Sequence, residues 1–285
     1  MPLVSGKEWL IDARKRGYAI PQFNVLNLEM IDAVITIAEE TSSPVIIGIV
    51  DRHFPLLDVE SLIYAVKLRA SKSSAPIILH LDHGRTWERV MEALRLGFTS
   101  VMYDGSVLPI QENIQITKDI KRCADPMGVS VEAEIGHVGS KNAGDGNEVT
   151  SISVAIDFVN ETNVDYLAIS IGNTHGHVNA TNFDFEVLES IYNAVDVPLV
   201  LHGGSDISKE HMRLLISKGI SKVNIFSEFA KAYVDGIKGW YGNEKIDYLD
   251  LNHYGKENGK KLVYSKFDML NTFGKAESRE EVTIK

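Results

Sequence analysis

Short apolar runs recur along the chain and alternate with segments in which apolar residues are spaced three to four positions apart. Continuous apolar runs are typical of parallel strands buried on both faces, whereas the wider spacing predicts helices with one buried face. A helix is predicted first, over residues 5–16, with Ser5 as its N-cap. The strands that follow are predicted over residues 18–23, 45–50, 77–81, 100–103, 129–134, 166–171, 199–201 and 222–225.

Eight strands that alternate with helices are typical of a (β/α)8 TIM barrel, and an open, doubly wound sheet is the alternative. Polar residues favour the barrel, because they stand at or near the ends of all eight strands, whereas an open sheet needs them only near its switch point. They are Asn24, Asp51, Asp82 with His83, Asp104, Glu132 with Glu134, His175, His202 and Asn224. We predict an α/β fold in which residues 1–285 form a single TIM-barrel domain. It has a leading N-terminal helix, and closing helices and a tail from about residue 236.

Composition narrows the class of protein. The chain has 285 residues, of which 44% are hydrophobic and 24% charged, as expected for a globular protein in water. Its net charge of −10, without a basic run, argues against nucleic-acid and membrane partners. The single cysteine, Cys123, cannot form an internal disulfide, and the first residues lack a secretory-signal pattern. We therefore expect a cytoplasmic protein.

Three histidines share one context, because His83, His175 and His202 each precede a glycine at the end of a predicted strand. The glycine is expected to provide a sharp turn and close access to the backbone. Side chains at the carboxyl ends of barrel strands converge on one site, and three imidazoles there suit a transition metal with an open coordination position. Asp82 adds a carboxylate beside the first histidine. The alternative is three ordinary, partly buried histidines.

Five segments carry a resemblance to a known family. In chain order they are ILHLDHG (78–84), VEAEIG (131–136), GNTHG (172–176), LVLHGGS (199–205) and KVNIFS (222–227). With PQFN (21–24), NLEM (27–30), YDGS (103–106) and EN (112–113), they resemble the class II, metal-dependent ketose-bisphosphate aldolases, which cleave fructose or tagatose bisphosphate. The resemblance runs from about residue 5 to 235 and is closer to the tagatose-type branch. It implies a retro-aldol lyase that acts through an enediolate and releases dihydroxyacetone phosphate and an aldehyde.

The resemblance also implies a metal centre. His83, His175 and His202 would bind Zn²⁺ or another divalent transition metal, which would polarise the ketone of the substrate. Three carboxylates would serve as a further ligand or would orient the imidazoles, unless their role is purely structural. These three are Glu134, Asp104 and Glu132.

Proton transfer is assigned to acidic residues in the same way. Asp82 matches the family's acid that exchanges a proton with the hydroxyl at the cleaved bond, and its alternative role is to cap a helix that begins near Thr86. The loop 136–150 carries four glycines and is long for a barrel loop, which predicts a lid over the site. The family draws its enediolate-forming base from a lid of this kind. Asp145 and Glu148 are the candidates here.

Substrate binding is expected from backbone amides and polar side chains. Gly203, Gly204 and Ser205 lead towards a helix predicted around residues 209–218, so their N–H groups and the helix dipole could hold a phosphate. A simple tight turn is the alternative. The other residues that the resemblance places at the substrate or its phosphate are Asn24, Gly176, Asn224 and Ser227. The resemblance further implies a homodimer or homotetramer.

Four features depart from the family pattern. Asp206 follows Ser205 where glycine is usual. A carboxylate beside a phosphate is unfavourable unless a cation lies between them, so we expect a monovalent cation near the phosphate site. His177 stands where an aromatic residue is frequent, with no lysine nearby, and Phe226 stands where the residue is usually small or acidic. The lid also lacks the glutamate–aspartate cluster. These departures favour a substrate other than a standard hexose bisphosphate.

Two other functions remain open on the sequence. A non-catalytic homologue that binds a metal or a sugar phosphate would explain the altered lid. A TIM-barrel metal hydrolase would use the three histidines and Asp82 to activate water. The paired late segments LHGGS and VNIFS favour the aldolase over the hydrolase, because both are suited to holding phosphate.

Overall fold

Eight parallel strands pair in chain order and close into a barrel. The computed structural model of the chain describes residues 3–136, 149–173, 183–240 and 247–277. The first strand pairs with the second on one side and with the eighth on the other, which closes the sheet. A helix lies between successive strands, and the prediction of a (β/α)8 TIM barrel with a leading helix is confirmed.

The elements follow one another as strand and helix until the last strand, after which two helices follow. The strands are β1 (Ile20–Asn24), β2 (Val45–Val50), β3 (Ile77–Gly84), β4 (Ser100–Tyr103), β5 (Ser130–Ile135), β6 (Tyr166–Ile169), β7 (Leu199–Leu201) and β8 (Ile220–Ile225). The helices are α1 (Gly6–Arg16), α2 (Leu28–Glu40), α3 (Val59–Ser71), α4 (Trp87–Leu96), α5 (Ile110–Ala124), α6 (Ile152–Thr162), α7 (Phe185–Ala194), α8 (Lys209–Ser217), α9 (Ser227–Trp240) and α10 (Tyr248–Met269). None of these described helices is long and apolar enough to cross a membrane.

The predicted element bounds agree with the structure to within a few residues. Strands β2, β4 and β7 have the predicted bounds, whereas β3 runs three residues beyond its predicted end and so contains the first site residues. Ser5 holds the N-cap position of α1, but its side chain makes no capping hydrogen bond. That helix ends at Gly17, whose left-handed φ of 64° is a conformation that glycine adopts without strain.

Apolar side chains fill the end of the barrel at which the strands begin. Helix α1 lies across this end and buries its apolar face against the first residues of the strands. We call this group the floor, and its buried members are Trp9, Leu10, Ala13, Tyr18, Ile20, Ile46, Ile78, Tyr166, Ala168 and Val200. The amide of Gly6 also donates to the hydroxyl of Ser130 at 3.1 Å, so a hydrogen bond and apolar packing together hold α1 in place.

The last helix, α10, packs against both α9 and α2. Phe23 on β1 contacts the rings of Phe229 and Phe267, with ring centroids 5.3 and 6.1 Å apart. The buried ammonium of Lys266 on α10 lies 2.6 Å from a carboxylate oxygen of Glu228 on α9. Aromatic packing and an ion pair therefore hold these helices beside the first strand.

Candidate active site

The end of β3 presents two consecutive side chains to the same space. Neighbouring side chains on a strand normally point to opposite faces. Asp82 and His83 both reach into the barrel mouth, because His83 has a left-handed φ of 52° and the pairing with β4 shifts register between Leu81 and Gly84. This conformation is uncommon outside glycine and clusters at functional sites. The prediction that the chain turns sharply at Gly84 is therefore wrong, because the left-handed residue is His83. Gly84 instead allows close approach, since a Cβ there would lie 2.7 Å from the carbonyl oxygen of Met102.

Two amides hold the carboxylate of Asp82. Its Oδ2 accepts a hydrogen bond from Asn24 Nδ2 at 2.8 Å, and its Oδ1 accepts one from Asn224 Nδ2 at 2.9 Å. Gly48 gives Asn24 the space to turn inward, because a Cβ at Gly48 would lie 2.0 Å from Asn24 Oδ1. Burial raises the pKa of Asp82, but the positive charge of His83 and other nearby cations outweighs this effect and lowers the pKa. The carboxylate is thus ionised and can accept a proton.

The alternative role of Asp82 as a helix cap is wrong. The hydroxyl of Thr86 accepts a hydrogen bond from the amide of Arg89 at 3.1 Å and so caps α4 itself. This leaves both carboxylate oxygens of Asp82 facing the barrel mouth.

His83 and His202 face each other across the mouth. Nε2 of His83 lies 2.9 Å from Nδ1 of His202, and the two rings are nearly perpendicular. On the outer sides, His83 Nδ1 lies 2.8 Å from Asp104 Oδ2, and His202 Nε2 lies 2.8 Å from Glu132 Oε1. Because an ionised carboxylate only accepts hydrogen bonds, both outer nitrogens carry protons, and Nδ1 of His202 is left as an acceptor. His83, whose pKa is raised, also carries a proton on Nε2 and donates it to Nδ1 of His202. Glu134 also stands on the outer side, with Oε2 3.8 Å from His83 Nδ1.

The charges around the two imidazoles suit a cation. Ligand atoms of Asp82, His83 and His202 lie within 4.8 Å of one another, and so do those of His83, Asp104 and Glu134. Burial lowers the pKa of His83, but the charge of Asp82 and the hydrogen bond to Asp104 raise it to about 10. Burial and the nearby charge of His83 lower the pKa of His202. The carboxylates that favour a proton on His83 would equally favour a metal cation, and imidazoles backed by carboxylates are common metal ligands.

Sequence reasoning missed two buried residues beneath the imidazoles, Lys222 and His80. Nζ of Lys222 lies 2.6 Å from Oε2 of Glu132, and Nε2 of His80 lies 3.7 Å from the same oxygen. Burial raises the pKa of Glu132, but the charge of Lys222 outweighs it and lowers the pKa. Each missed residue stands two positions before a predicted site residue on its strand, and therefore on the same face. Counting two positions back along the strand from Asn224 and from Asp82 could therefore have identified Lys222 and His80.

The turn after β7 provides part of the predicted phosphate cradle. Gly203 has a left-handed φ of 72°, as a sharp turn requires. The amide of Gly204 donates to the carbonyl of Asn224 at 2.9 Å, so the prediction that this N–H is available for a phosphate is wrong. The amides of Gly203 and Ser205 make no hydrogen bond with any residue that the structure describes. These two N–H groups therefore suit an anion better than that of Gly204.

The helix that starts directly at the mouth is α9, not α8. Helix α8 starts only after Ser208, whose hydroxyl caps it, whereas α9 begins at Ser227, two residues after β8 ends. In the first turn of α9, Glu228 accepts a hydrogen bond from the amide of Asp206 at 3.0 Å and pairs with Lys266. The unusual Asp206 is thus fixed to α9 through its backbone.

A positive charge stands beside the unusual Phe226. The ring centroid of Phe226 lies 5.5 Å from that of His53 and 5.8 Å from the guanidinium carbon of Arg52. Asp51, the residue directly after β2, forms an ion pair with Arg89, with 2.6 Å between its carboxylate oxygen and Nε. Within the described ranges, Arg52 forms no ion pair with a carboxylate. The mouth therefore has a guanidinium that is held by an aromatic ring and is not neutralised by a described acidic residue.

Five predicted residues lie outside the described residues, and they are His175, Gly176, His177, Asp145 and Glu148. The described ends of their segments lie at the barrel mouth. Asn173 Nδ2 donates to the carbonyl of His202 at 2.9 Å, and the amide of Thr150 donates to the carbonyl of Ser170 at 2.9 Å. The chain therefore enters one segment and leaves the other beside the carboxyl ends of the strands.

Comparison with known proteins relates this site to a family. The sequence profile of the family described as "Fructose-bisphosphate aldolase class-II" matches residues 4–275. The 6-phospho-5-dehydro-2-deoxy-D-gluconate aldolase of Halalkalibacterium halodurans is 37% identical over 288 residues, which cover 98% of this chain and 100% of the relative. The fructose-bisphosphate aldolase of Staphylococcus epidermidis is 34% identical over 290 residues, which cover 97% of this chain and 100% of the relative.

A solved structure shows the same similarity in three dimensions. The crystal structure of the YdjI aldolase from Escherichia coli K12 has a TM-score of 0.88 and 36% sequence identity with this chain. The match covers 96% of this chain and 99% of the YdjI chain. The similarities thus extend along nearly the whole length of each protein.

Proposed function

The chain belongs to the class II fructose-bisphosphate aldolase family, and we propose that its barrel mouth binds Zn²⁺ and cleaves a ketose phosphate to dihydroxyacetone phosphate and an aldehyde. As a member of this family the protein is an aldolase, a lyase that breaks a carbon–carbon bond by retro-aldol chemistry. One observation carries the zinc proposal: two imidazole nitrogens face each other, each ring is backed by a carboxylate, and the ionised Asp82 stands beside them.

Two proposed metal ligands are His83 and His202, and His175 is proposed as the third from the family resemblance. Neutral imidazoles suit zinc and related divalent metals. A metal bound there would supply a Lewis acid for the ketone of the substrate. Asp104 and Glu132 accept the outer N–H groups of the imidazoles, so the ligand nitrogens stay turned towards the mouth.

Asp82 is proposed to move the proton of the cleaved bond. Retro-aldol cleavage requires the hydroxyl on the future aldehyde carbon to lose its proton, and an ionised carboxylate can accept it. The amides of Asn24 and Asn224 hold both oxygens of this carboxylate and so fix its plane. In the condensation direction the protonated Asp82 returns the proton. Asp145 and Glu148 remain the proposed candidates for the acid–base group at the enediolate carbon.

The names of two relatives indicate substrates that share one half, the half that becomes dihydroxyacetone phosphate. Fructose bisphosphate and 6-phospho-5-dehydro-2-deoxygluconate each carry a ketone next to a phosphorylated carbon. Retro-aldol cleavage of either compound leaves dihydroxyacetone phosphate. The other ends differ, because one carries a phosphate and the other a carboxylate. We propose that the constant phosphate is held by the amides of Gly203 and Ser205 and by the start of α9 at Ser227.

The variable half of the substrate is proposed to end in an anion near Arg52. This guanidinium lies beside Phe226 at the mouth, and a guanidinium binds carboxylate or phosphate through two parallel hydrogen bonds. A set of aldehydes that differ only in a terminal carboxylate, phosphate or hydroxyl tests the idea in the condensation direction. We expect the two anionic aldehydes to have the higher kcat/KM. Cleavage of fructose or tagatose bisphosphate at ordinary aldolase rates would contradict a substrate other than a standard hexose bisphosphate.

Exchange of carbon-bound hydrogen tests the aldolase proposal independently of the aldehyde. Dihydroxyacetone phosphate is incubated with the zinc-loaded protein in deuterated water, and the exchange is followed by NMR. We expect exchange that stops when a chelator removes the metal and resumes when zinc is added. A protein that binds zinc without exchange would be the non-catalytic homologue. Release of inorganic phosphate without exchange would indicate the metal hydrolase.

We also propose that the protein acts as a single barrel domain, assembles as a homodimer or homotetramer and works in the cytoplasm. Self-association is supported by apolar side chains of the last two helices that are exposed in the single chain, among them Val234, Leu249 and Tyr264. Light scattering of the purified protein tests the assembly. A monovalent cation beside Asp206 stays part of the proposal, and potassium dependence of the KM for dihydroxyacetone phosphate would test it.

A further inference from the structure

A charged pair lies inside the barrel beneath the two imidazoles. Nζ of Lys222 on β8 is 2.6 Å from Oε2 of Glu132 on β5, and neither side chain is exposed to solvent. A buried ion pair loses the hydration of both charges, so an apolar pair of similar volume is often as stable or more stable. The stability of the fold therefore does not account for this pair.

The carboxylate of Glu132 has two imidazole neighbours. Its Oε1 lies 2.8 Å from Nε2 of His202, and its Oε2 lies 3.7 Å from Nε2 of His80. Nε2 of His80 is buried and has no hydrogen-bond partner among the described residues, so it is available to bind a carboxylate that moves closer. The ammonium of Lys222 occupies the oxygen that faces His80. Its position leaves the other oxygen directed at His202.

We propose that Lys222 is a positioning residue, which holds Glu132 on His202 instead of His80 and thereby keeps Nδ1 of His202 turned towards His83 as a metal ligand. The inference rests on the proposed metal site and extends it by one residue that touches neither metal nor substrate. Groups behind a metal ligand typically contribute about 10- to 100-fold to metal affinity. Lys222 would contribute through Glu132 alone.

Zinc affinity of the variant Lys222→Met tests the proposal. Affinity is measured by competition with a chromogenic chelator, and the geometry of the site by the visible absorption of the Co²⁺-loaded protein. We expect zinc binding to weaken about 10- to 100-fold, as in Glu132→Gln, with an altered Co²⁺ spectrum. The double variant should bind zinc no more weakly than Glu132→Gln alone, because Lys222 has no effect once its carboxylate is gone.

A matched control is the variant Lys266→Met. Lys266 is also a buried lysine paired with a glutamate at 2.6 Å, but its partner is Glu228 on α9. The control should lower the unfolding temperature of the metal-free protein and leave zinc affinity unchanged. A purely structural role of Lys222 would give the same pattern in Lys222→Met.

The outcomes separate this inference from the proposed metal site. If the unaltered protein binds no zinc, the metal site itself is wrong. If the unaltered protein binds zinc and Lys222→Met binds it equally well, or if the losses in the double variant add, the positioning role is wrong. Lys222→Gln keeps an N–H donor and should lose less affinity, and it replaces the methionine variant if that variant does not fold. Failure of both variants to fold would mark Lys222 as structural and overturn the proposal.

Discussion

The two ends of the barrel interior are built on the same strands from opposite residue types. On β3 the floor residue Ile78 is followed at intervals of two by His80 and Asp82, and Val200 on β7 is followed two positions later by His202, directly after the strand. Side chains repeat every two residues along a strand, so one inward face passes from an apolar floor to a charged mouth. Both ends are buried, and only the chemistry of the side chains differs.

The difference shows that stability and reactivity are separated along the barrel axis. Apolar area buried in the floor stabilises the fold at roughly 25 cal/mol per Å². The mouth instead buries charges such as those of Glu132 and Lys222, which cost desolvation energy and which we propose are retained to support the metal site. Variants in the mouth should therefore change affinities and rates, and variants in the floor should change the free energy of unfolding.

The largest effect is expected from His83→Ala in the mouth. Loss of one of the proposed metal ligands should remove bound zinc and reduce cleavage by about 10³-fold or more. Metal content is measured after dialysis, and cleavage by a coupled assay for dihydroxyacetone phosphate. The exposed His253 on α10 provides the control, because His253→Ala should keep both zinc and activity. Full zinc content in His83→Ala would contradict the assignment of this ligand.

Asp82→Asn should separate proton transfer from metal binding. An asparagine cannot accept the hydroxyl proton, so cleavage should fall by about 10²- to 10³-fold. Zinc affinity should change only a few-fold, and deuterium exchange of dihydroxyacetone phosphate should persist, because it uses a different base. The three quantities are measured on the same preparation. If exchange and cleavage fall together, Asp82 is not specific to the hydroxyl.

Leu10→Ala should affect the floor without affecting the mouth. Leu10 on α1 is fully buried, and its truncation should lower the free energy of unfolding by about 3 kcal/mol. Chemical denaturation measures this loss, and kcat at 25 °C should be unchanged. Leu249→Ala on α10 is the control, since its side chain is 74% exposed and should change stability by less than about 0.5 kcal/mol. A reduced kcat in Leu10→Ala would show that floor and mouth are coupled.

The smallest effect on stability is expected from removing an ion pair that holds α1 but is not part of the floor. Lys7 Nζ lies 2.9 Å from Asp165 Oδ1, and the hydrogen bond to Asp165 raises the pKa of Lys7 above its ordinary value of 10.5. A raised folded pKa means that the pair stabilises the protein below pH 10.5 and that this contribution is lost as pH rises above it. Lys7→Met should cost less than about 1 kcal/mol at pH 7, because Lys7 is half exposed.

The pH dependence of Lys7→Met is checked by thermal unfolding. The difference in unfolding temperature between Lys7→Met and the unaltered protein should shrink between pH 7 and pH 11. A difference that stays constant would mean that the methylene groups of Lys7, not its charge, stabilise α1.

Local sequence patterns predicted the barrel and most of the residues that meet in its mouth. Strand bounds followed from apolar runs, and Asp82, His83 and His202 were identified because side chains at strand ends converge in a barrel. The sequence did not predict Lys222, because a lysine within a strand is usually solvent-exposed. Its burial depends on Glu132, which lies 90 residues away in the chain.

Backbone detail was the least predictable part of the site. The turn expected at Gly84 belongs to His83, since the register shift against β4 decides which residue takes the left-handed conformation. The amide of Gly204 is engaged by Asn224, a pairing that exists only once β7 and β8 lie side by side. Hydrogen bonds between strands depend on register, and register is a property of the assembled sheet.

The sequence by itself determined the alternation of strands and helices, the barrel, and the residue types gathered at the strand ends. These follow from hydrophobic periodicity and from chemistry that any one segment carries within itself. Only the tertiary structure decided which nitrogen of each imidazole faces the proposed metal position, because Asp104 and Glu132 set it from other strands. Hydrogen bonds between groups far apart in the chain form only after the barrel closes, and they determine the orientation of each ligand.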